Sequence, residues 1–244
     1  MKQIESLLRT LVILLLPVIM YGQTTSIGLK AGLSLPELRG GTNEVSKGYT
    51  SRLAPVAGLQ ITWQLQKTFS VQAELNYAGQ GGKREGMQPI TDPPPGLPAL
   101  PPGTYYYGRF NNEARINYLE LPILMKWNFS DIYLDAGPYL GFRVSANTIT
   151  SGSSHIYMDK GGTTAITPQP VDFDATTNIK NDINAFNVGI CAGGGLSRKA
   201  GPGQLFFDAR FNYGLRNIQK DTDKNGKSHT GGVFITAGYS FRIS

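Results

Sequence analysis

INYLELPILMKWNF, residues 116–129, decides the fold. Leu119, Leu121, Ile123, Met125, Trp127 and Phe129 share one parity, and Tyr118, Glu120, Lys126 and Asn128 share the other. Successive side chains of a strand point to opposite sides of its sheet, so this period of two predicts a β-strand with one apolar and one polar face. Ser130-Asp131 follows as a short turn, and a second strand returns from it. There Ile132, Leu134, Ala136, Leu140, Phe142 and Val144 oppose Tyr133, Asp135, Tyr139, Arg143 and Ser145.

The same alternation recurs on both sides of this pair. Towards the N terminus it predicts strands over Ser26–Leu35, Leu53–Leu65 and Phe69–Gln80. Towards the C terminus it predicts strands from Phe186, from Leu205 to Tyr213 and from Val233 to Ile243. Eight strands result, an even number. Their connections alternate in length: short around Gln66-Lys67, Ser130-Asp131 and Lys199–Pro202, long over roughly Pro36–Arg52, Gly81–Arg115, Asn147–Asp182 and Asn217–Ser228. Repeated long loops count against a compact soluble domain. Short turns at one end and long loops at the other are the arrangement of a membrane barrel. The fold expected is therefore all-β, an eight-stranded antiparallel up-and-down transmembrane β-barrel.

A soluble lipocalin-like barrel has the same strand number and the opposite orientation, with its apolar face inside. Alternation is blind to that difference. Strand length and the loop asymmetry choose lipid, since a tilted strand crosses a bilayer in about 10 residues. Phe69, Trp127, Phe129, Phe207 and Phe241 near the short-turn end, with Tyr77, Phe142 and Tyr213 near the other, would form the two aromatic girdles of such a barrel.

The N terminus carries Lys2 and Arg9, then an apolar run from Leu11 to Met20, then Gly22. This is too short for a spanning helix and has the order of a secretory signal, which places a signal peptide at 1–22 and the barrel domain at 23–244. No Cys follows the run, which argues against a lipoprotein anchor. The mean hydropathy of -0.19 hides this segment. The formal charge of +6 drops to +5 once Lys2, Arg9 and Glu5 are removed, and what is left is spread along the chain, not clustered as in a nucleic-acid binder. The one cysteine, Cys191, excludes an intramolecular disulfide.

Several segments carry a resemblance. GLKAGLSL from Gly28, FSVQAELNYAGQGGK from Phe69, INYLELPILMKW from Ile116, YLDAGPYLGF from Tyr133, FNVGICAGGGLS from Phe186, FFDARFNYGLRNI from Phe206 and the terminal AGYSFRI resemble the PorT-type outer-membrane β-barrel family of Bacteroidota-like bacteria. The Asn117–Pro122 and Asp208–Leu215 segments are the most specific. The resemblance implies an outer-membrane barrel. The family's namesake is linked to a secretion system and gliding machinery, a role that does not transfer on resemblance alone. The proline-rich insertion Asp92–Gly103 has no counterpart in the family pattern.

Candidate chemistry is sparse. Lys30, Glu74, Glu120, Arg143 and Arg210 fall on the polar, lumen-facing parity and are expected to form a charge-paired cluster that fills a narrow interior. Asp221, Asp223 and Asn225, followed by Gly226, match the first half of a calcium loop, but Gly232 stands at the twelfth position where a bidentate Glu belongs, so the segment reads first as a solvated loop. His155 and His229 fall in long loops without a nucleophile-elbow pattern, and no catalytic residue or cofactor is assigned. Cys191 faces the lumen as a small packing residue beside Gly189 and Gly193. Pro93–Pro102 should be a stiff polyproline II loop, with Tyr105, Tyr106 and Tyr107 directly after it. The expected role is structural or interactive: a barrel in outer-membrane lipid that displays loops to an extracellular protein or glycan, with no nucleic-acid partner. A small transport pore, a secretion- or gliding-machinery accessory and a membrane-embedded lipid-modifying enzyme are the alternatives.

Overall fold

The computed structural model describes residues 24–243. The expected signal peptide, residues 1–22, lies outside the described residues. In chain order the strands are β1 (Thr24–Arg39), β2 (Ala54–Gln66), β3 (Phe69–Arg84), β4 (Met87–Ile90), β5 (Tyr106–Arg109), β6 (Asn111–Phe129) and β7 (Ile132–Ser151). They continue with β8 (Ser153–Ser154), β9 (Val171–Asp172), β10 (Ala175–Asn178), β11 (Phe186–Ala200), β12 (Gly203–Gly214) and β13 (His229–Arg242), and one helical turn, α1 (Thr222–Asn225), precedes β13. Eight of them, β1, β2, β3, β6, β7, β11, β12 and β13, pair antiparallel in that order. β13 also pairs with β1, with Ala31 opposite Ala237 on one side and Ala57 on the other, so the sheet closes and leaves no free edge. Ser130, with φ 60°, makes the left-handed corner of the β6–β7 turn.

Solvent exposure settles which face is outside. Leu29 is 60% exposed, Met125 52% and Ile235 43%, whereas Glu120 is 1% exposed, Gln72 1% and Glu74 3%. A continuous apolar belt runs around the outside and the polar side chains fill the interior, the reverse of a lipocalin. Among the described residues no helix is long and apolar enough to cross a membrane, and the strands make the crossing. Phe69 and Trp127 meet edge-on near the short-turn end, and Phe142 and Phe186 do so towards the other.

The barrel strands run further than alternation alone predicts: β6 begins at Asn111, not Ile116, and β7 ends at Ser151, not Ser145. The reason is an inversion of the two faces. Along β6 the outward side changes from Leu119 to Asn117, Arg115, Glu113 and Asn111, while the inward side changes from Glu120 to buried Tyr118, Ile116 and Ala114. Inside lipid the barrel is polar within and apolar without; beyond the lipid it is a water-facing barrel with an apolar core. Leu38, Ala114, Ile116, Tyr118, Ala146, Ile183 and Ile218 form that core, so two long connections send Ile183 and Ile218 back into the barrel mouth. β7 adjusts through a bulge: Asn117 pairs with Ser145 but Tyr118 with Arg143, leaving Val144 unopposed.

Three of the four long connections are correspondingly shorter than expected, and they are more ordered. β4 and β5 form a hairpin, β8 pairs with β9, and Tyr157 bridges Tyr107 and Ala165. Ile90, Tyr106, Phe110 and Ile156 pack as a second core with Leu97, Leu100 and Phe173. Tyr106 donates to the Pro98 carbonyl at 2.8 Å, so the proline-rich segment folds against its own cap.

Candidate functional site

The interior of the membrane span is built around Arg210 of β12. Its guanidinium reaches Glu74 at 2.7 Å, Asp135 at 2.9 Å and Asp208 at 2.5 Å, joining β12 to β3 and β7 across the lumen. Room for this crossing comes from Gly193 on the adjacent strand: a Cβ there would lie 2.2 Å from the Ala209 carbonyl and 2.7 Å from the Arg210 Cγ. Lys30 of β1 donates to the second oxygen of Glu74 at 2.6 Å. Gln72 and Asn76 donate to the same carboxylate, so Glu74 has four donors. Tyr133 donates to Asp208 at 3.0 Å, and Lys126 sits 3.4 Å from the centre of the Tyr133 ring while donating to Gln72 at 3.3 Å. A buried unpaired charge is costly, and this mutual pairing is what lets so many ionised groups occupy a narrow lumen.

Of the expected cluster, Lys30, Glu74 and Arg210 come together. Glu120 lies in the same lumen but accepts from Gln80 at 2.8 Å and Asn212 at 3.3 Å, without a cation in bonding range. Arg143 is a correction: it lies nearer the barrel mouth, just before the β7 bulge, and its guanidinium donates to the Lys180 carbonyl instead of joining the cluster. Lys126, Asp135 and Asp208 complete the network. Their parity put them on the polar face, but parity does not say which polar side chains meet: Asp135 of β7 reaches Arg210 past β11, Asp208 shares Arg210's own strand, and Lys126 joins through Gln72. On the mouth side of these charges a small cavity between Lys30, Asn76, Glu120, Asn212 and Thr236 measures about 20 Å³, the volume for a single water.

The remaining candidates take structural places. Asp221 is the N-cap of α1 and accepts from the Asp223 and Lys224 amides, so the Asp221, Asp223 and Asn225 segment is a capped helical turn. Among the described residues no three His, Cys, Asp or Glu side chains gather as a metal set. The His155 ring bonds the Thr167 carbonyl at 2.8 Å, and His229 opens β13 opposite Arg39. Cys191 is buried in the lumen against Leu124 and Tyr139.

Above the plug the barrel mouth widens into a vestibule of about 800 Å³. Its floor is the apolar core around Leu38 and Ile116, and its walls come from the β1–β2, β3–β6, β7–β11 and β12–β13 connections. Phe110 and Phe173 stack at 4.5 Å on one wall, and Asp92, Asp172, Asp174 and Asp182 stand around it. Burial pushes the Tyr49 phenol above its ordinary range, so it lines the cavity as a neutral group. Arg84 is held by the carbonyls of Glu44, Val45 and Lys47 and by Gln88, fixing the first long connection to the end of β3. Outside, the hydrogen bond from Lys160 holds the Glu44 carboxyl below its usual range.

A family model described as outer membrane protein beta-barrel domain matches residues 21–220. Among solved structures, Ail, the attachment invasion locus protein of Yersinia pestis, in complex with the heparin analogue sucrose octasulfate, is similar at 12% identity and a TM-score of 0.39, covering 91% of this chain and 100% of its own. OprG of Pseudomonas aeruginosa is similar at 10% identity and a TM-score of 0.38, covering 91% and 97%. Neisserial surface protein A is similar at 8% identity and a TM-score of 0.37, covering 91% and 100%. No curated protein matches the sequence.

Proposed function

Because the chain belongs to the family of outer membrane protein β-barrel domains and resides in the bacterial outer membrane, we propose that it serves there as a closed structural or interaction barrel. It holds a folded loop cap and its vestibule at the cell surface and does not pass solutes. The observation that carries this reading is the lumen plug: Arg210, Glu74, Asp135, Asp208 and Lys30 bond across the interior, and the cavity beside them has room for one water. An eight-stranded barrel has space for its inward side chains and little more. Residues 1–22 serve in this reading as the export signal, and the partner is an extracellular protein or glycan met by the loops.

The reading is non-enzymatic: the His155 ring is bonded to the Thr167 carbonyl, and neither long loop that carries a histidine has a nucleophile-elbow pattern. The Asn117–Pro122 and Asp208–Leu215 segments favour a PorT-type member of the family. The test is conduction. Purified protein in planar bilayers should show no steady conductance, and reproducible single-channel steps that scale with salt would overturn the closed-barrel reading in favour of a small pore.

A further inference from the structure

The vestibule carries a chemical preference that the barrel itself does not explain. Its volume, about 800 Å³, lies within the range of sites that enclose a small organic ligand. Four carboxylates stand on its lining, Asp92, Asp172, Asp174 and Asp182, against two cations, Arg84 and Lys224. Arg84 is committed to three backbone carbonyls and Gln88, which leaves Lys224 as the free positive charge among the described lining residues. Asp174 receives the Gly152 amide and Asp172 the Asp174 amide, each through one oxygen only, so both keep acceptor capacity towards the cavity. Between Asp172 and Asp174 along the chain, Phe173 stacks on Phe110 and lines the same wall, an apolar surface beside the carboxylates.

We propose that the vestibule binds an amphiphilic cation: a molecule with an apolar body of about ring size and one or more protonated amines. This rests on the reading of the loop cap as an interaction site and names the ligand class for it. The apolar body is taken by the partly exposed Val171, Phe173 and Ile179 on the lining, which lose contact with water when it is covered. The ammonium groups meet the Asp carboxylates. An anionic ligand of the same shape meets like charge instead, and like-charge opposition is how such a surface rejects a wrong partner.

The test uses the full chain folded in phosphocholine nanodiscs and two fluorescent probes with the same ring. Dansylcadaverine carries a primary ammonium, and dansylglycine carries a carboxylate. The cationic probe should bind saturably and at least about tenfold more tightly than the anionic one, and its binding should weaken as salt rises because exposed charges are screened. Asp92 and Asp182 have no side-chain bonds to the protein, so Asp92→Asn and Asp182→Asn remove charge without loosening the cap. Each should weaken the cationic probe by about two- to fivefold, the range of an exposed ion pair, and the pair together should narrow the gap between the probes. Equal affinity for the two probes, or insensitivity of the cationic probe to both substitutions, overturns the charge preference. Binding of neither probe to protein that still shows the heat-modifiable mobility of a folded barrel overturns the vestibule as a ligand site. The closed lumen is decided separately by conductance.

Discussion

Arg210 is the residue on which the lumen plug can be broken with a calculable result. Arg210→Met keeps the length of the side chain and its apolar stem but removes the guanidinium that reaches three carboxylates within 2.9 Å. Glu74 is then still held by Lys30, Gln72 and Asn76. Asp208 keeps the Tyr133 hydroxyl, and Asp135, 2% exposed, loses its one bonded cation. Removing one partner of a buried pair costs about 3–5 kcal/mol, because the other is left charged in a poorly solvated place. Two carboxylates are stranded here, so the loss should reach at least the upper part of that range, against a total of about 5–15 kcal/mol for a typical native protein. The assay is equilibrium unfolding in urea with phosphocholine vesicles, followed through Trp63 and Trp127. The electrostatic account also predicts a rescue: Arg210→Met combined with Asp135→Asn and Asp208→Asn removes the stranded charges and should recover most of the loss. If Arg210→Met matches the surface control Lys224→Ala to within about 0.5 kcal/mol, or the triple variant is no more stable than the single one, ion pairing does not hold the plug.

Three further outcomes follow from the same geometry. Glu74→Gln strands Lys30 and should cost about 3 kcal/mol or more, whereas Glu120→Gln, which strands no cation, should cost less than half as much in the same titration; an equal loss would show that Glu120 is paired in solution. Ile235→Arg places charge on the lipid face opposite Leu33 and should destabilise the membrane-inserted barrel by about 2–4 kcal/mol if it lies at the bilayer middle, and nitroxide labels at 235 should report lipid where labels at 236 do not. The Asp159 carboxyl is held below its ordinary range by the amides of Thr164 and Thr163. Its contribution to loop order is therefore complete above about pH 4, the unfolded carboxylate value, and is lost as pH falls through the lower folded value. Amide exchange at Thr163 and Thr164 should accelerate on that descent, and Asp159→Asn should remove the pH dependence.

Much of the architecture was legible because a strand's side chains alternate with a fixed period. That period located the eight barrel strands, and the turn at Ser130-Asp131 fell where alternation on both sides required it. The pairing of Glu74 with Arg210, 136 positions apart, followed from parity, charge and distance from the short turns, but its further partners Asp135 and Asp208 did not. Strand registers are set between chains of the sheet, and only closure of the barrel brings β3, β7 and β12 to one level. Arg143 shows the limit most directly. Its parity pointed into the lumen, but the fold places it at the mouth against the Lys180 carbonyl, away from the charges of the plug; the bulge at Val144 acts on the residues after it, turning Ala146 inward without altering local composition. The inversion of faces above Tyr118 was hidden for another reason: Ile116 and Ala114 keep the lumen parity of Glu120, and that the interior turns apolar there depends on Ile183 and Ile218 returning from distant connections. The sequence by itself determined the strands, their order and their two-sided chemistry, since these follow from local alternation and turn residues. The tertiary structure decided which charges meet, where the lumen closes and how Ile183 and Ile218 return to cap it, since these depend on contacts between segments that only the closed sheet brings together.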